Sequence, residues 1–345
     1  MDYELIKHFP DAETVKKWDV FLKNAELPTH YVTPNYFVDP FVSGGERFAL
    51  LVSSGSQVVA VLTGLKTAKS VQSGLGVRPQ TAFLLGCDRD EVAEALKRGL
   101  AELAGEATEL INFYSWNPIA ISRFGYDSEQ CVGADQVVML DLSKGSEALF
   151  QDFSARRRAE LRKIMKLQKL HVKQVETDAE LNDFYEIHKE WNTRKEFHPG
   201  TLDSFQLALG QTANRRIFIA VNDGKIIAGS IFRFCKGGVV EYAANNSMVG
   251  FEHLEPNKLL VWRAIEWACS SGFSHFSMGG SHQFLAKFGG ELVGAYRYRL
   301  DRTFLRRHEK RELMQRFAVK IYLRLPDPLR TRIKLIAAKI STSKK

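Results

Sequence analysis

Apolar positions along this chain follow two periods, and the alternation between them marks out the same order of elements twice. RFALLVSSGSQVVAVLTG (47–64) reads as an apolar run, a Gly-containing turn and a second apolar run, which predicts a strand–turn–strand unit. RIFIAVNDGKIIAGSIFRF (216–234) repeats the scheme, with Asn222-Asp223-Gly224 as the hairpin turn. In both, a short polar turn leads into a V/I-V/I-A-x run, at an offset near 168 residues. A helix-then-strand pattern follows each hairpin, at 89–113 and at 257–278, with close to the same offset. Units repeating at one spacing predict a duplicated α/β domain.

The second half reads in more detail. Ala179–Arg194 is an amphipathic helix with Leu181, Phe184, Tyr185, His188 and Trp191 on its apolar side, and Thr201–Leu209 is another. Three strands follow at about 217–221, 226–234 and 239–244. Pro256 can open a helix, because its missing N–H falls where no intrahelical bond would form. Leu259, Leu260, Ala264, Trp267 and Ala268 recur at helical spacing until Gly272 ends the run. A buried strand, a Gly-rich turn and Lys287-Phe288-Gly289-Gly290 come next, then a last strand, ELVGAYRYRLDR. Alternation along it predicts Tyr296 and Tyr298 inside, with Arg297 and Arg299 outside.

Composition narrows the class. At 345 residues the chain is long enough for two ordinary domains, and its 45% hydrophobic and 26% charged content is that of a soluble globular protein. No run of eighteen apolar residues predicts a membrane span, and the start, MDYELIKHFPDAE, has no apolar segment of the signal-peptide kind. Cys87, Cys131, Cys235 and Cys269 are far apart and without CxxC or His-rich neighbours, which predicts buried thiols, no metal site and a cytoplasmic setting. The net charge of +8 is concentrated at one end. Residues 301–345 hold 14 Lys and Arg against 4 Asp and Glu, whereas the first 300 residues balance at −2. The chain as a whole is therefore not a basic, nucleic-acid-binding type.

Two segments carry that basic character. SKGSEALFQDFSARRRAELRKIMKLQKL (143–170) starts with turn formers and continues as a helix bearing Arg156, Arg157, Arg158, Arg162, Lys163, Lys166 and Lys169, with Phe153, Leu161, Ile164 and Met165 left to pack. It is either a solvated connecting helix or a surface for a phosphate-rich partner. From Phe304 an apolar stripe runs through Leu305, Leu313, Met314, Phe317, Ala318, Ile321, Tyr322 and Leu325, with cations on the other faces. Pro326 and Pro328 interrupt it, and LRTRIKLIAAKI resumes it through Leu329, Ile333, Ile336 and Ile340. The stripe either packs on the core or lies on an anionic membrane surface through residues 304–340, and tRNA contact is a third reading. The membrane reading would place the protein at the inner face of the membrane. The predicted division is 1–150, 151–300 and a basic amphipathic helical tail at 301–345.

The order from Pro256 to Gly290 resembles the FemAB/CelD-like branch of the GNAT acyltransferase superfamily. That branch has a Pro-led helix after its active-site strand, a strand ending near Gly-Gly and an F-K-x-x-F-G-G signature. Its members also carry a basic segment, roughly S-x-x-x-R-x-x-I-x-K-A, at the start of the second domain. The resemblance covers 150–300 well and 40–150 loosely. It implies tandem GNAT-like domains, each a central mixed sheet flanked by helices, with the active site between the halves. It also implies transfer of an acyl group from acyl-CoA to an amine or hydroxyl of a cell-envelope or polysaccharide precursor. An aminoacyl-tRNA donor acting on a peptidoglycan-type precursor is the alternative. A non-catalytic membrane- or nucleic-acid-associated protein on the same scaffold is the other.

Candidate site residues follow. Glu241 is the only acid in the strand VVEYAA, where burial would raise its pKa and let it accept an amine proton; pairing with Arg233 is the structural alternative. Tyr242 points to the opposite face unless the strand bulges. Phe284 and Phe288-Gly289-Gly290 match the family signature, but Leu285 occupies the lysine position and Lys287 lies two residues on. Lys287 is the third catalytic candidate. Arg157, Arg158 and Lys163 on the basic helix, Asn245 after the strand, and Asn257 and Lys258 at the helix start are candidates for binding donor or substrate. His198 is a candidate for contact with the acceptor. Family members that use acyl-CoA carry Q/R-x-x-G-x-G/A where this chain has FEHLEPNKLL, with no such glycines and two acids, Glu252 and Glu255.

Overall fold

Each of the two sheets in this molecule is completed by a strand from the other half of the chain. The computed structural model describes residues 1–210, 213–326 and 329. The first sheet runs Asp2–Ile6, Glu46–Ser54, Gln57–Lys66, Ser70–Ser73, Leu110–Ser115, Tyr296–Asp301 and Asp127–Gln130. The second runs His171–Gln174, Arg215–Asn222, Lys225–Phe234, Val239–Ser247, His275–Ser277, Gln136–Asp141 and Glu291–Gly294. Both are mixed: among the described residues the parallel pair in the first is Ser70–Ser73 with Leu110–Ser115, and in the second Val239–Ser247 with His275–Ser277. A helix makes the crossover each time, Arg89–Ala104 and Pro256–Ser270, as parallel neighbours require.

The duplication read from the sequence is visible in detail. The two hairpins carry the same irregularity, a register shift between Val52 and Ser53 and another between Ala220 and Val221. Pro256 sits at the first turn of its helix, which buries Leu259, Leu260, Ala264, Ile265 and Ala268 against the second sheet. The basic segment forms two helices, Gly145–Asp152 and Ala155–Leu167, because Ser154 stops the first and caps the second through the Arg157 N–H.

The exchange of strands is what the sequence does not reveal. ELVGAYRYRLDR is two strands, not one: Glu291–Gly294 pairs in the second sheet and Tyr296–Asp301 in the first. Reciprocally, Gln136–Asp141 lies in the second sheet, between His275–Ser277 and Glu291–Gly294. Division of the chain at 150 and 300 therefore does not coincide with division into sheets.

The expected orientation of Arg297 and Arg299 also changes. Tyr298 is buried, as predicted, but both arginines are covered by the helix Arg307–Arg324, whose Glu312 bonds Arg297 (2.6 and 2.9 Å) and Arg299 (2.6 Å). These pairs hold the Glu312 carboxyl down at about 2, the Arg297 hydrogen bond being the chief cause. The continuation of the tail pattern through Ile333, Ile336 and Ile340 lies outside the described residues. No helix among the described residues is long and apolar enough to cross a membrane.

Candidate active site

The register of the second sheet sets three charged residues in one row. Arg215 pairs with Arg233 across one strand junction, and Arg233 with Glu241 across the next. Side chains at paired positions share a face, so all three project toward the first half of the chain. The first half meets them with residues from loops. A turn held by the Leu75–Arg78 bridge requires glycine at Gly74 (φ +77°), where a Cβ would lie 2.6 Å from the Arg78 carbonyl. That turn delivers Arg78 to Glu241, Nε to Oε1 at 2.5 Å, while Arg233 stands 3.7 Å from the same carboxylate. Beside it, Asp39 accepts from Arg215 and lies 2.8 Å from His30 Nε2. Arg47 pins the Asp39 loop by donating to the carbonyls of Phe37, Asp39 and Val42. Arg215 rests on the Phe41 ring and Arg233 on the Tyr31 ring, with guanidinium-to-centroid distances of 5.0 and 5.2 Å.

A cleft of about 440 Å³ opens over this row, lined among others by His188, His198, Arg215, Arg233 and Ala244. A second cavity of about 280 Å³, with Tyr36, Asp39 and Arg78 in its wall, shares Phe41, Ser43 and Arg233 with the first. Arg233 is thus the charged residue in the wall that both share. Among the described residues, Arg78, Arg215 and Arg233 are the guanidinium groups that contact the Asp39 and Glu241 carboxylates. That is one positive charge more than the two carboxylates balance, with Arg47 bound to backbone carbonyls behind them. The Nε atoms of Arg215 and Arg233 are buried without a hydrogen-bond partner among the described residues.

The electrostatics reverse one expectation. Burial acting alone would raise the Glu241 pKa, but Arg233 and then Arg78 outweigh it and hold the carboxyl below its ordinary range. Glu241 is ionised at neutral pH and is held by two arginines, not poised as a strong base. The pairing alternative read from the sequence is present, with Arg78 added. Asp39 is likewise held far below the ordinary range: burial opposes this, and the His30 hydrogen bond and the Arg215 charge overcome it.

His30 moves the other way, down to about 4, chiefly because burial penalises its charged form. Unfolded chain takes up that proton near the ordinary 6.5 and folded chain does not until about 4. The contribution of His30 to stability is therefore fully present above pH 6.5 and is lost as pH falls toward 4. Urea unfolding at stepped pH should show this loss, with a shallower dependence in His30→Gln; equal slopes would contradict it.

The other candidates fall into separate places. His198 lines the cleft. In the same wall His188 is held between Asn246 Oδ1 (2.9 Å) and the Pro199 carbonyl (2.8 Å). Tyr242 faces away, stacked on Phe232 in the helix-side core, and its hydroxyl is pushed well above the ordinary range by burial. A bulge is present one residue on: Ala243 is skipped where Ile231 pairs with Ala244 and Phe232 with Tyr242. It does not bring Tyr242 round to Glu241. Pairing of the central strand with His275–Ser277 stops at Glu241. Gly279 (φ +68°) passes close to the central strand there; a Cβ on it would lie 2.5 Å from the Tyr242 carbonyl. Asn245 Oδ1 and Asn257 Oδ1 are buried without a hydrogen-bond partner among the described residues.

A second cluster assembles at the start of the helix Pro256–Ser270. Arg157 is buried between the rings of Phe284 (4.6 Å) and Phe288 (4.3 Å) and donates to the Phe284 carbonyl at 3.0 Å. Lys258 is paired with Glu160 at 2.9 Å and with Glu255. Arg158 donates to the carbonyls of Gln151 and Phe153, closing the preceding helix. Lys163 is exposed beside a cavity of about 320 Å³ that also includes Glu160, Glu252 and Glu255. Lys287 ends the short helix Gln283–Ala286, and its carbonyl accepts from Ser154 N–H. Arg157, Lys258, Phe284 and Phe288 are thus brought together, but the two cations are engaged by the protein itself.

Residues that sequence reasoning did not select are Arg78, Asp39, His30, Arg215 and His188. Arg233 was read only as a partner of Glu241. A signal existed for Arg215 and Arg233, a cation at each hairpin position opposite Glu241. None existed for the loop residues.

A fold of this kind, with a bulged central strand, a parallel neighbour and a crossover helix between them, is that of a GNAT-like domain. Residues 151–299 match the family described as Acetyltransferase (GNAT) domain. That match covers under half of the chain, and the chain as a whole has a GNAT-like fold of two mixed sheets flanked by helices. The crystal structure of FemX is similar at a TM-score of 0.68 and 15% identity, over 87% of this chain and 98% of that one. The C-terminal domain (DUF2156) of a putative lysylphosphatidylglycerol synthetase from Agrobacterium fabrum gives 0.59 and 12%, over 85% and 93%. L-PGS from Bacillus licheniformis gives 0.57 and 16%, over 87% and 95%. At these identities the likeness is one of fold. No curated protein sequence matches the chain.

Proposed function

We propose that the chain transfers an acyl group to an amine or hydroxyl of an anionic envelope or glycan precursor, held in the cleft between its two halves. The observation that supports this reading most is the row Arg215–Arg233–Glu241, closed by Arg78 and Asp39 into a site with one cation in excess. An anionic acceptor placed over Arg233 would neutralise that charge. Glu241 serves by fixing Arg78 and Arg233, and its depressed pKa makes it a poor proton acceptor. The proton of an attacking amine leaves through water in the open cleft. The acyl group would enter where pairing of the central strand with His275–Ser277 ends, with Asn245 lining the path.

For the donor, the acyl-CoA reading rests on the family description. A specific feature favours an aminoacyl-tRNA. The helix start where a CoA pyrophosphate would lie carries Glu252 and Glu255, and Lys258 is already neutralised by Glu160 and Glu255. Deacylation of a radiolabelled aminoacyl-tRNA pool, set against thiol release from acetyl-CoA, separates the two. An aminoacyl-tRNA donor predicts loss of ester from the RNA, accelerated by added precursor. Saturable thiol release with inert RNA would reject the tRNA donor.

A further inference from the structure

We propose that the outward side of the helix Arg307–Arg324 is a docking surface for an anionic lipid bilayer. Surface helices normally turn their large apolar side chains to the protein. This one does not. Glu312 and Arg316 hold it to the first sheet, through Arg297 and Arg299 for the former and Glu129 for the latter. The apolar residues are left in solvent: Leu313 is 66% exposed, Met314 72%, Phe317 64% and Ile321 47%, and Phe304 and Leu305 just before the helix are 83% and 61% exposed. At about 100° per residue, Lys310, Leu313, Met314, Phe317, Ile321 and Arg324 fall within one arc of about 100° on the side away from Glu312 and Arg316. Contiguous exposed apolar side chains of this size mark an interaction surface.

Charge decides the occupant. Lys310 and Arg324 lie within the stripe, Arg307 and Arg311 border it, and residues 301–345 carry a balance of +10. Large apolar side chains set among cations match the boundary between lipid headgroups and acyl chains, where the rings and aliphatic groups enter and the cations meet phosphate. A nucleic-acid backbone would use the cations and leave the apolar stripe wet. A second copy of the chain would bring the same cations against one another across a two-fold axis. The surface belongs to the first sheet and the tail, so the inference does not depend on the reaction assigned to the cleft.

Co-sedimentation of the full chain with vesicles tests it, using phosphatidylcholine alone against phosphatidylcholine with about a third replaced by phosphatidylglycerol. The expected result is binding at least about tenfold tighter to the anionic vesicles, weakened by salt. Phe317→Asp with Ile321→Asp should lower that affinity by about tenfold or more. Lys310→Glu with Arg324→Glu should remove the preference for anionic vesicles. These side chains are exposed, so circular dichroism and the melting temperature should stay unchanged in both variants. Three results would overturn the inference. One is anionic-vesicle binding unaltered by the aspartates. Another is a dimer in light scattering that the aspartates dissociate while vesicle binding is absent in the parent chain. The third is RNA binding that survives the aspartates in a chain that ignores vesicles.

Discussion

A fragment that begins at residue 151 will not fold to a stable domain, although it contains every residue of the GNAT family match. It lacks Gln136–Asp141, an internal strand of the second sheet, which buries Val137, Val138, Met139 and Leu140 to between 0 and 5% exposure. At about 1.5–3 kcal/mol for each buried apolar side chain, losing four removes roughly 6–12 kcal/mol. Whole domains are stable by only about 5–15 kcal/mol. The fragment also exposes two strand edges that the missing strand would pair, an invitation to aggregate. In addition it carries Tyr296–Asp301, which has lost its sheet. Circular dichroism melts and amide dispersion in NMR spectra should show no cooperative transition for 151–345, while the full chain unfolds with both sheets coupled. A cooperative, well-dispersed fragment would contradict the exchange of strands.

Asp39→Ala should cost about 3–5 kcal/mol, a large effect for a single loop residue. Asp39 is fully buried and accepts from Arg215, itself 4% exposed, and from the His30 ring at 2.8 Å. Truncating it leaves a guanidinium buried with no counter-charge, and the desolvation of that charge is then uncompensated. Removing Arg215 at the same time relieves the cause. Asp39→Ala combined with Arg215→Leu should therefore recover much of the stability lost by Asp39→Ala alone. Urea unfolding of the two single variants and the pair gives the coupling directly. Additive losses would show that the pair is not the organising contact between the halves.

What could be read from the sequence was local. The hairpins at 47–64 and 216–234 and the helix opened by Pro256 depend on period and turn chemistry within twenty residues, and each formed within a few residues of its expected bounds. The exchange of Gln136–Asp141 and Tyr296–Asp301 depends on pairing between residues more than one hundred apart, which no local pattern encodes. ELVGAYRYRLDR shows the difference. Its alternation predicts a strand, but Gly294 lies against the Cys131 carbonyl, too close for any Cβ, and there the chain passes from one sheet to the other.

The site divides the same way. Glu241 stood out as a lone acid in an apolar strand, and the physical argument for a raised pKa was sound for burial alone. Arg78, 163 residues away in sequence, and Arg233 across the hairpin reverse the sign. Arg157 and Lys258 were legible as cations near a helix start, but their engagement by Phe284, Phe288, Glu160 and Glu255 appears only in three dimensions. In the tail the stripe was legible and its direction was not, since Glu312 sets which side faces the protein.

The central claim, that the cleft between the halves receives an anionic acceptor at Arg233, is tested most directly by calorimetric titration with a UDP-linked peptidoglycan-type precursor. Wild-type chain should bind it with an affinity that falls as salt rises, and Arg233→Met should bind about tenfold or more weakly while donor binding is unchanged. Equal affinity in the two proteins would contradict the account.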